Sequence, residues 1–484
     1  MNPEEFRQAG HQLIDWVADF HAGLHRRPVM AQVKPGQIRD ALPKMPPQEP
    51  ESFDKIWQDV EELIVPGISH FQHPRFLAFF PSNVALSSVL GDYLSTGLGA
   101  LGISWESAPA LTEMEEVMTD WIRQMVGLSD AWEGVIHDSA STGTLVALIC
   151  ARERTINYAL VRGGLQAESK PLTVYVSKYS HSSIDKGALL AGFGRENVRL
   201  VAVDRHFALD PADLVRAIEE DLAEGKQPCA VVATTGTTTS TALDPIAAIA
   251  KIAQQYDLWL HVDSALAGSA MILPECRWMW DGIEQADSVV LNAHKWLGVP
   301  FDCTLYYVRD SEHLVRVMGT NPSYLQSTAD NQVKNYRDWG IPLGRRFRAL
   351  KLWTLIHEQG ISGLQARLRR DIANAQWLKT QVCARPNWEV LAPVPLQTVC
   401  LRHTPSHINP ELTGEELDRH TLAWCNQVNQ SGEAYLTPAI LDGRWMVRVS
   451  IGAYSTELAD VKAVWELIYT TAESRRTEPD MAPN

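Results

Sequence analysis

The sequence predicts an α/β protein built on a large, mostly parallel sheet, with an N-terminal helical segment and a small C-terminal α+β domain. Three observations predict it. Short apolar, β-rich runs alternate with helical stretches between residues 142 and 308, the pattern of a parallel sheet covered on both faces. The first 63 residues carry helical spacing and little strand signal. Near Gly340 the alternation stops, and a long helical run leads into separate strands and helices.

In chain order, Phe6, Leu13, Ile14, Val17 and Phe20 fall at helical spacing within residues 3–24. A proline-rich linker from Leu42 to Pro50 precedes a second helical stretch from Phe53 to Leu63. This segment is too thin to hold its own core and is expected to pack against something else, such as a second subunit. Residues 111, 114, 117, 118, 121, 122 and 125 form the apolar stripe of an amphipathic helix. Strands are expected at Thr173–Val176, Val198–Val203, Ala230–Thr234, Leu258–Val262, Ser288–Asn292 and Thr304–Val308. Helices are expected at Thr142–Arg154, Ser183–Ala191, Pro211–Ala223 and Pro245–Tyr256, and one long helix from Arg348 to Val382. Strands at Trp388–Leu391, Thr398–Arg402 and Trp445–Ile451, with helices at Thr413–Val428 and Thr456–Ile468, complete the C-terminal part. The expected partition is 1–84, 85–370 and 371–484.

Composition narrows the function. The 484 residues are 45% hydrophobic and 21% charged, with a net charge of −15. That balance fits a water-soluble globular chain and argues against a nucleic-acid partner, which needs a clustered basic face. No apolar run approaches the roughly 20 residues of a membrane helix, and no signal peptide is expected from the opening residues. Seven scattered cysteines, none in a Cys-x-x-Cys pair, fit reduced thiols in the cytoplasm and predict no zinc site. The chain has no G-x-G-x-x-G, P-loop or H-E-x-x-H.

The chemistry-bearing residues stand at strand ends and a helix start. Asn292-Ala-His294-Lys295-Trp296 follows an apolar strand, and open α/β sheets bind ligands at the carboxyl ends of their strands. An amine there can form a Schiff base with an aldehyde. A solvent-facing lysine is the plain alternative. His261-Val262-Asp263 ends the preceding strand. Pyridoxal phosphate needs such a carboxylate beside its ring nitrogen, although an aspartate there can also simply cap a helix. Ser139-Ala140-Ser141-Thr142-Gly143-Thr144 opens an apolar helix and can cradle a phosphate or serve as an ordinary cap. His181 can stack on a ring or be structural, and Ala233-Thr-Thr-Gly-Thr-Thr-Thr239 can supply a hydroxyl beneath a ring or simply end a strand. Their order along one sheet points to pyridoxal phosphate more strongly than any one of them.

These motifs resemble the group II pyridoxal-phosphate decarboxylases across nearly the whole chain, nearest to bacterial aromatic-L-amino-acid (DOPA) decarboxylases. The resemblance rests on His73-Pro74 through Phe80-Pro81, Ser139-Ala-Ser141, His181-Ser-Ser, His261-Val-Asp263, Asn292-Ala-His-Lys-Trp296 and Ile341-Pro-Leu-Gly-Arg-Arg-Phe-Arg348. It implies a fold type I enzyme working as a homodimer. It also implies Lys295 as the Schiff-base lysine, Asp263 as partner of the ring nitrogen and His181 as the stacking ring. Thr234 would approach the cofactor O3′ or Asp263, and Ala140, Ser141, Asn292 and His294 would contact the phosphate. Tyr324 would sit on a lid over residues 319–339 and return a proton to the substrate Cα once CO2 has left. A phenylalanine there marks aldehyde-forming relatives. Phe80, Pro81, Ser82, Leu101 and Ile103 would line a neutral side-chain pocket, the last two from the partner subunit. That pocket suits an aromatic amino acid, with dopa, tyrosine, tryptophan and phenylalanine all open. Ile103, Phe71 and Leu266 depart from the phenylalanine, tryptophan and tyrosine frequent in the family. A decarboxylase of a non-aromatic amino acid, an oxidative aldehyde synthase, an aminotransferase and a non-enzymatic relative are the competing readings.

Overall fold

Between residues 133 and 308 seven strands form, and five of them are buried along their whole length: β2 (Leu172–Ser177), β5 (Trp259–Asp263), β6 (Ser288–Asn292), β7 (Thr304–Val308) and, after its first residue, β4 (Gln227–Thr234). Burial on both faces is why these segments read as continuous apolar runs. With β1 (Glu133–His137) and β3 (Val198–Val201) they make one sheet in the order β1-β7-β6-β5-β4-β2-β3. Only β7 runs against the common direction of the other six strands. The sheet is therefore mostly parallel, as expected.

The computed structural model describes residues 1–320, 322–325, 329, 332–405 and 413–475, and of residue 324 the backbone alone. The chain divides into two compact units. Ser82–Arg370 with Ala392–Leu396 contains the large sheet. Its helix Ala140–Thr155 is buried on nearly every side and packs across β4 to β7.

The second unit comprises Met1–Pro81, Asp371–Leu391 and Gln397–Asn484. It holds a four-stranded antiparallel sheet in the order β10-β11-β9-β8, where β8 is Trp388–Val390, β9 Thr398–His403, β10 Thr437–Leu441 and β11 Arg444–Ser450. The N-terminal stretch joins this sheet directly. Phe76 bridges Tyr435, the Leu77 N–H donates to the Tyr435 carbonyl at 3.0 Å, and Ser450 N–H donates back to the Leu77 carbonyl at 2.9 Å. The helix Pro3–Gly23 is closed by an Asn2–Glu5 capping box and buries none of its residues.

The sequence expectations miss β1, β10 and two helices, Leu86–Gly97 and Ser311–Met318. The long helix Arg348–Cys383 is also two helices, broken where Gly360 adopts φ 60° and ψ 170°.

Candidate functional site

Three parallel strands end side by side at one edge of the large sheet. Thr234 closes β4 opposite Asp263 at the end of β5, and Asp263 pairs with Val290 of β6. Asp263 is buried, its Oδ1 accepts the Ala265 N–H at 3.0 Å, and its carbonyl accepts the Thr235 N–H at 2.9 Å. The Thr234 hydroxyl is buried with no hydrogen bond among the described residues. A donor left open in this way fits a ligand oxygen, because buried polar groups are nearly always paired.

Asp244 holds Thr234 in place. It accepts the N–H groups of Thr234 and Leu209, each at 2.7 Å, on its two oxygens. Burial, opposed by the two backbone N–H bonds, pushes the Asp244 carboxyl up to about 7. The folded protein thus holds this proton more tightly than the unfolded chain does, so the associated stability is full below about pH 4 and disappears as pH rises toward 7. Asp244→Asn removes that titration and leaves one backbone N–H facing an amide NH2. We expect the variant to be destabilised by roughly 1–3 kcal/mol at low pH. The gap in Tm to the unsubstituted protein should narrow between about pH 4 and pH 7. A gap that widens over this range would contradict the assignment.

Lys295 lies in a π-helical turn, Ala293–Leu297, that continues β6. The turn is fixed from several sides. Arg367 donates to the carbonyls of Trp296 and Leu297 at 2.6 and 2.7 Å, and Asn83 N–H donates to the Lys295 carbonyl at 3.2 Å. Gly298 closes the turn at φ 117°, a conformation costly for any side chain. Lys295 itself is half-buried. Next to it, His294 Nδ1 accepts the Cys303 N–H at 2.9 Å, so the proton of its neutral ring sits on Nε2. Burial, and then the Lys295 charge, lower the His294 pKa to about 4.

The phosphate-cradle candidate is the start of helix Ala140–Thr155, capped by Ser139 Oγ accepting the Thr142 N–H at 3.3 Å. The Thr304 hydroxyl sits between the Asn292 Oδ1 at 2.8 Å and the Asp138 carbonyl at 3.3 Å, which brings Asn292 beside this turn. Ala140 is buried and Ser141 exposed. Gly143 lets the helix approach β6, since a Cβ there would lie 2.7 Å from Val290 Cγ1. Gly143→Ala is expected to lift the helix start and cost about 1–3 kcal/mol. Pyridoxal-phosphate affinity, measured by titration of the apoprotein, should fall with it.

His181 caps the helix Ser182–Leu190 through Nδ1, which accepts the Ser183 N–H at 3.1 Å. The residue is exposed, yet its ring is crowded enough that desolvation, the largest cause, lowers its pKa. Asp263 pulls that pKa up and Lys295 pushes it down. The charges of Asp263 and Lys295 thus both reach the His181 ring, from two other elements.

The remaining sequence candidates are placed less completely. Ser82, Leu101 and Ile103 belong to the sheet unit, Leu101 exposed and Ile103 half-buried on a loop pinned by reciprocal backbone bonds between Gly102 and Arg345 at 2.9 and 3.0 Å. Phe80 and Pro81 belong to the other unit. There the buried Arg448 lies 4.9 Å over the Phe80 ring, a cation that strand alternation in the sequence did not flag. Tyr324 falls in the one-turn helix Ser323–Leu325, and its side chain lies outside the described residues. The sequence reading also missed Asp244, Arg367 and the buried pair Arg345–Glu115, at 2.5 and 2.9 Å. Their partners are distant in the chain, and no local signal exposes them.

A family model, the pyridoxal-dependent decarboxylase conserved domain, matches residues 35–404. Tyrosine decarboxylase 2 of Narcissus pseudonarcissus is 38% identical over 482 residues, covering 98% of this chain and 95% of that protein. Phenylacetaldehyde synthase of Arabidopsis thaliana is 39% identical over 482 residues, covering 98% and 96%. A crystal structure of Oryza sativa TDC with PLP and tryptamine superposes with a TM-score of 0.95 at 34% identity, over 99% of both chains. These relatives are plant proteins, whereas the motifs had pointed nearest to bacterial ones. By the family match and by the extent of these similarities, the chain belongs to the pyridoxal-dependent decarboxylases.

Proposed function

We propose that this protein decarboxylates an aromatic L-amino acid to the corresponding amine and CO2. The observation that carries the reading is the placement of Asp263 at the carboxyl end of β5 and of Lys295 in the turn that continues the neighbouring strand β6. When bound, pyridoxal phosphate supplies an aromatic ring that accepts the electrons of the breaking Cα–carboxylate bond.

The chain's own residues do the rest. Lys295 Nζ would hold the cofactor's aldehyde carbon and would be the amine that the substrate's amine replaces. Asp263 would hold the ring nitrogen and keep its proton there. His181 would help hold the ring, and Thr234 would lend its hydroxyl to the cofactor. The N–H groups of Ala140 and Ser141, with Asn292 and His294, would hold the phosphate. Phe80, Pro81, Ser82, Leu101 and Ile103 receive the side chain. Tyr324 returns a proton to Cα.

Two exposed apolar faces support a homodimer in which Leu101 and Ile103 serve the partner's site. The helix Leu86–Gly97 buries Ser88, Gly91 and Ser95 and turns Leu86, Leu90, Tyr93 and Leu94 outward, and Phe6 and Ile14 of the N-terminal helix are also exposed. Apolar surface of this extent on one molecule marks an interaction site. Among the described residues no helix is long and apolar enough to cross a membrane. Seven free cysteines, six of them buried, support a cytoplasmic setting.

An oxidative aldehyde synthase is the second reading, favoured by the similarity to phenylacetaldehyde synthase. A panel of L-amino acids assayed for CO2, amine, oxygen uptake and ammonia separates the two. We expect amine in step with CO2 from aromatic substrates and little oxygen uptake. Hydrogen peroxide in step with CO2 would sink the reading. Tyr324→Phe is expected to divert the majority of turnovers from amine to aldehyde, read from the same assay.

A further inference from the structure

His261 has no part in the mechanism above, yet it stands two residues before Asp263 on β5 and is completely buried. Both ring nitrogens are engaged, Nε2 with the Thr144 hydroxyl at 3.2 Å and Nδ1 with the Ser288 hydroxyl at 2.9 Å. The Trp259 indole N–H donates to the same Ser288 oxygen at 2.9 Å. Thr144 lies one turn into the helix that begins with Ala140 and Ser141, and Ser288 opens β6, the strand that runs to Asn292 and the Lys295 turn. A single imidazole thus ties the helix start, the Asp263 strand and the Lys295 strand together.

Its charge state suits that task. Burial is the largest cause lowering its pKa, to about 4, so the ring is neutral at physiological pH. A neutral ring offers one donor and one acceptor, and a hydroxyl can answer either. A protonated ring would instead place a cation beside Asp263 and compete for its carboxylate.

We propose that His261 is a positioning residue that locks the phosphate-holding end of helix Ala140–Thr155 to the strands bearing Asp263 and Lys295. The cofactor's phosphate and ring nitrogen are then gripped at a fixed separation. The proposal rests on the assignment of Ala140, Ser141, Asp263 and Lys295 made above.

The test compares the affinity of the apoprotein for pyridoxal phosphate and for pyridoxal, which lacks the phosphate. His261→Asn keeps a polar atom near the Nδ1 position and loses the bond to Thr144. His261→Gln reaches toward the Nε2 position and can keep that bond. Thr144→Val removes only the hydroxyl and preserves the shape. We expect His261→Asn and Thr144→Val each to weaken pyridoxal phosphate about tenfold, equivalent to about 1.4 kcal/mol and within the worth of one buried hydrogen bond. Pyridoxal binding should change far less, and His261→Gln should stay near the unsubstituted protein. The double variant His261→Asn/Thr144→Val should bind no more weakly than either single one, because both remove the same interaction. Variants that lower the apoprotein Tm while leaving the ratio of the two affinities unchanged would overturn the proposal. Unsubstituted apoprotein that binds pyridoxal as tightly as pyridoxal phosphate would overturn the phosphate assignment itself, a separate failure.

Discussion

Lys295→Ala is expected to remove the visible absorbance band of the protein–cofactor adduct and to lower CO2 release by at least about 10²–10⁴-fold, the range lost when a positioned proton-transfer group is deleted. The loss should be chemical and not structural. The π turn that carries Lys295 is held by its backbone, through Arg367 on the Trp296 and Leu297 carbonyls and Asn83 on the Lys295 carbonyl. None of these bonds needs the lysine side chain, and alanine is the best helix former. The apoprotein Tm should therefore stay close to that of the unsubstituted protein. Pyridoxal phosphate should still bind non-covalently, because the helix start, Asn292 and Asp263 are untouched. Turnover within about tenfold of the original, a barrier change of only about 1.4 kcal/mol, would remove Lys295 from the chemistry. So would a persistent visible band.

Much of the sheet was legible because burial on both faces leaves mostly apolar runs, with few polar side chains such as Thr173 and His261 among them. Asp263 and Lys295 were legible for a related reason. Each is the first charged residue after such a run, at the end of the sheet where ligands bind. The missed elements break local rules for tertiary reasons. Gly134 interrupts β1 because a Cβ there would lie 2.5 Å from the Tyr307 ring. Pro438 disguises β10, which tolerates it as an edge strand. The helix Leu86–Gly97 inverts the usual pattern. Its small residues face inward because a Cβ on Gly91 would meet Thr354 Oγ1 at 2.5 Å and Lys351 Cα at 2.8 Å. Its leucines face outward, which a single chain in water does not explain and a second subunit would. The supports behind the site were illegible for another reason. Asp244 is ten residues from Thr234, and Arg367 lies about seventy residues from the turn it pins.

Asp263→Asn distinguishes a chemical role from a structural one more sharply than truncation would. Asp263 Oδ1 takes the Ala265 N–H two residues on, a local turn that asparagine makes equally well. If turn-making were its only role, the variant would keep its activity and its Tm. The proposed role requires an ionised carboxylate next to the ring nitrogen. An opposite charge at that range favours a protonated partner by about 1–3 pKa units. Asparagine can turn a donor NH2 toward that nitrogen and supplies no charge. With each unit corresponding to about 1.36 kcal/mol, turnover should fall by roughly 10–10³-fold, borne mainly by kcat, while cofactor affinity changes less. The His181 ring should respond as well. Asp263 now raises its pKa against burial and Lys295, so losing the charge should move the His181 titration to lower pH, observable by NMR of the ring. A silent variant would return Asp263 to the status of a turn residue. A fall in kcat together with the His181 shift would place the carboxylate at the ring nitrogen, with His181 reporting its charge.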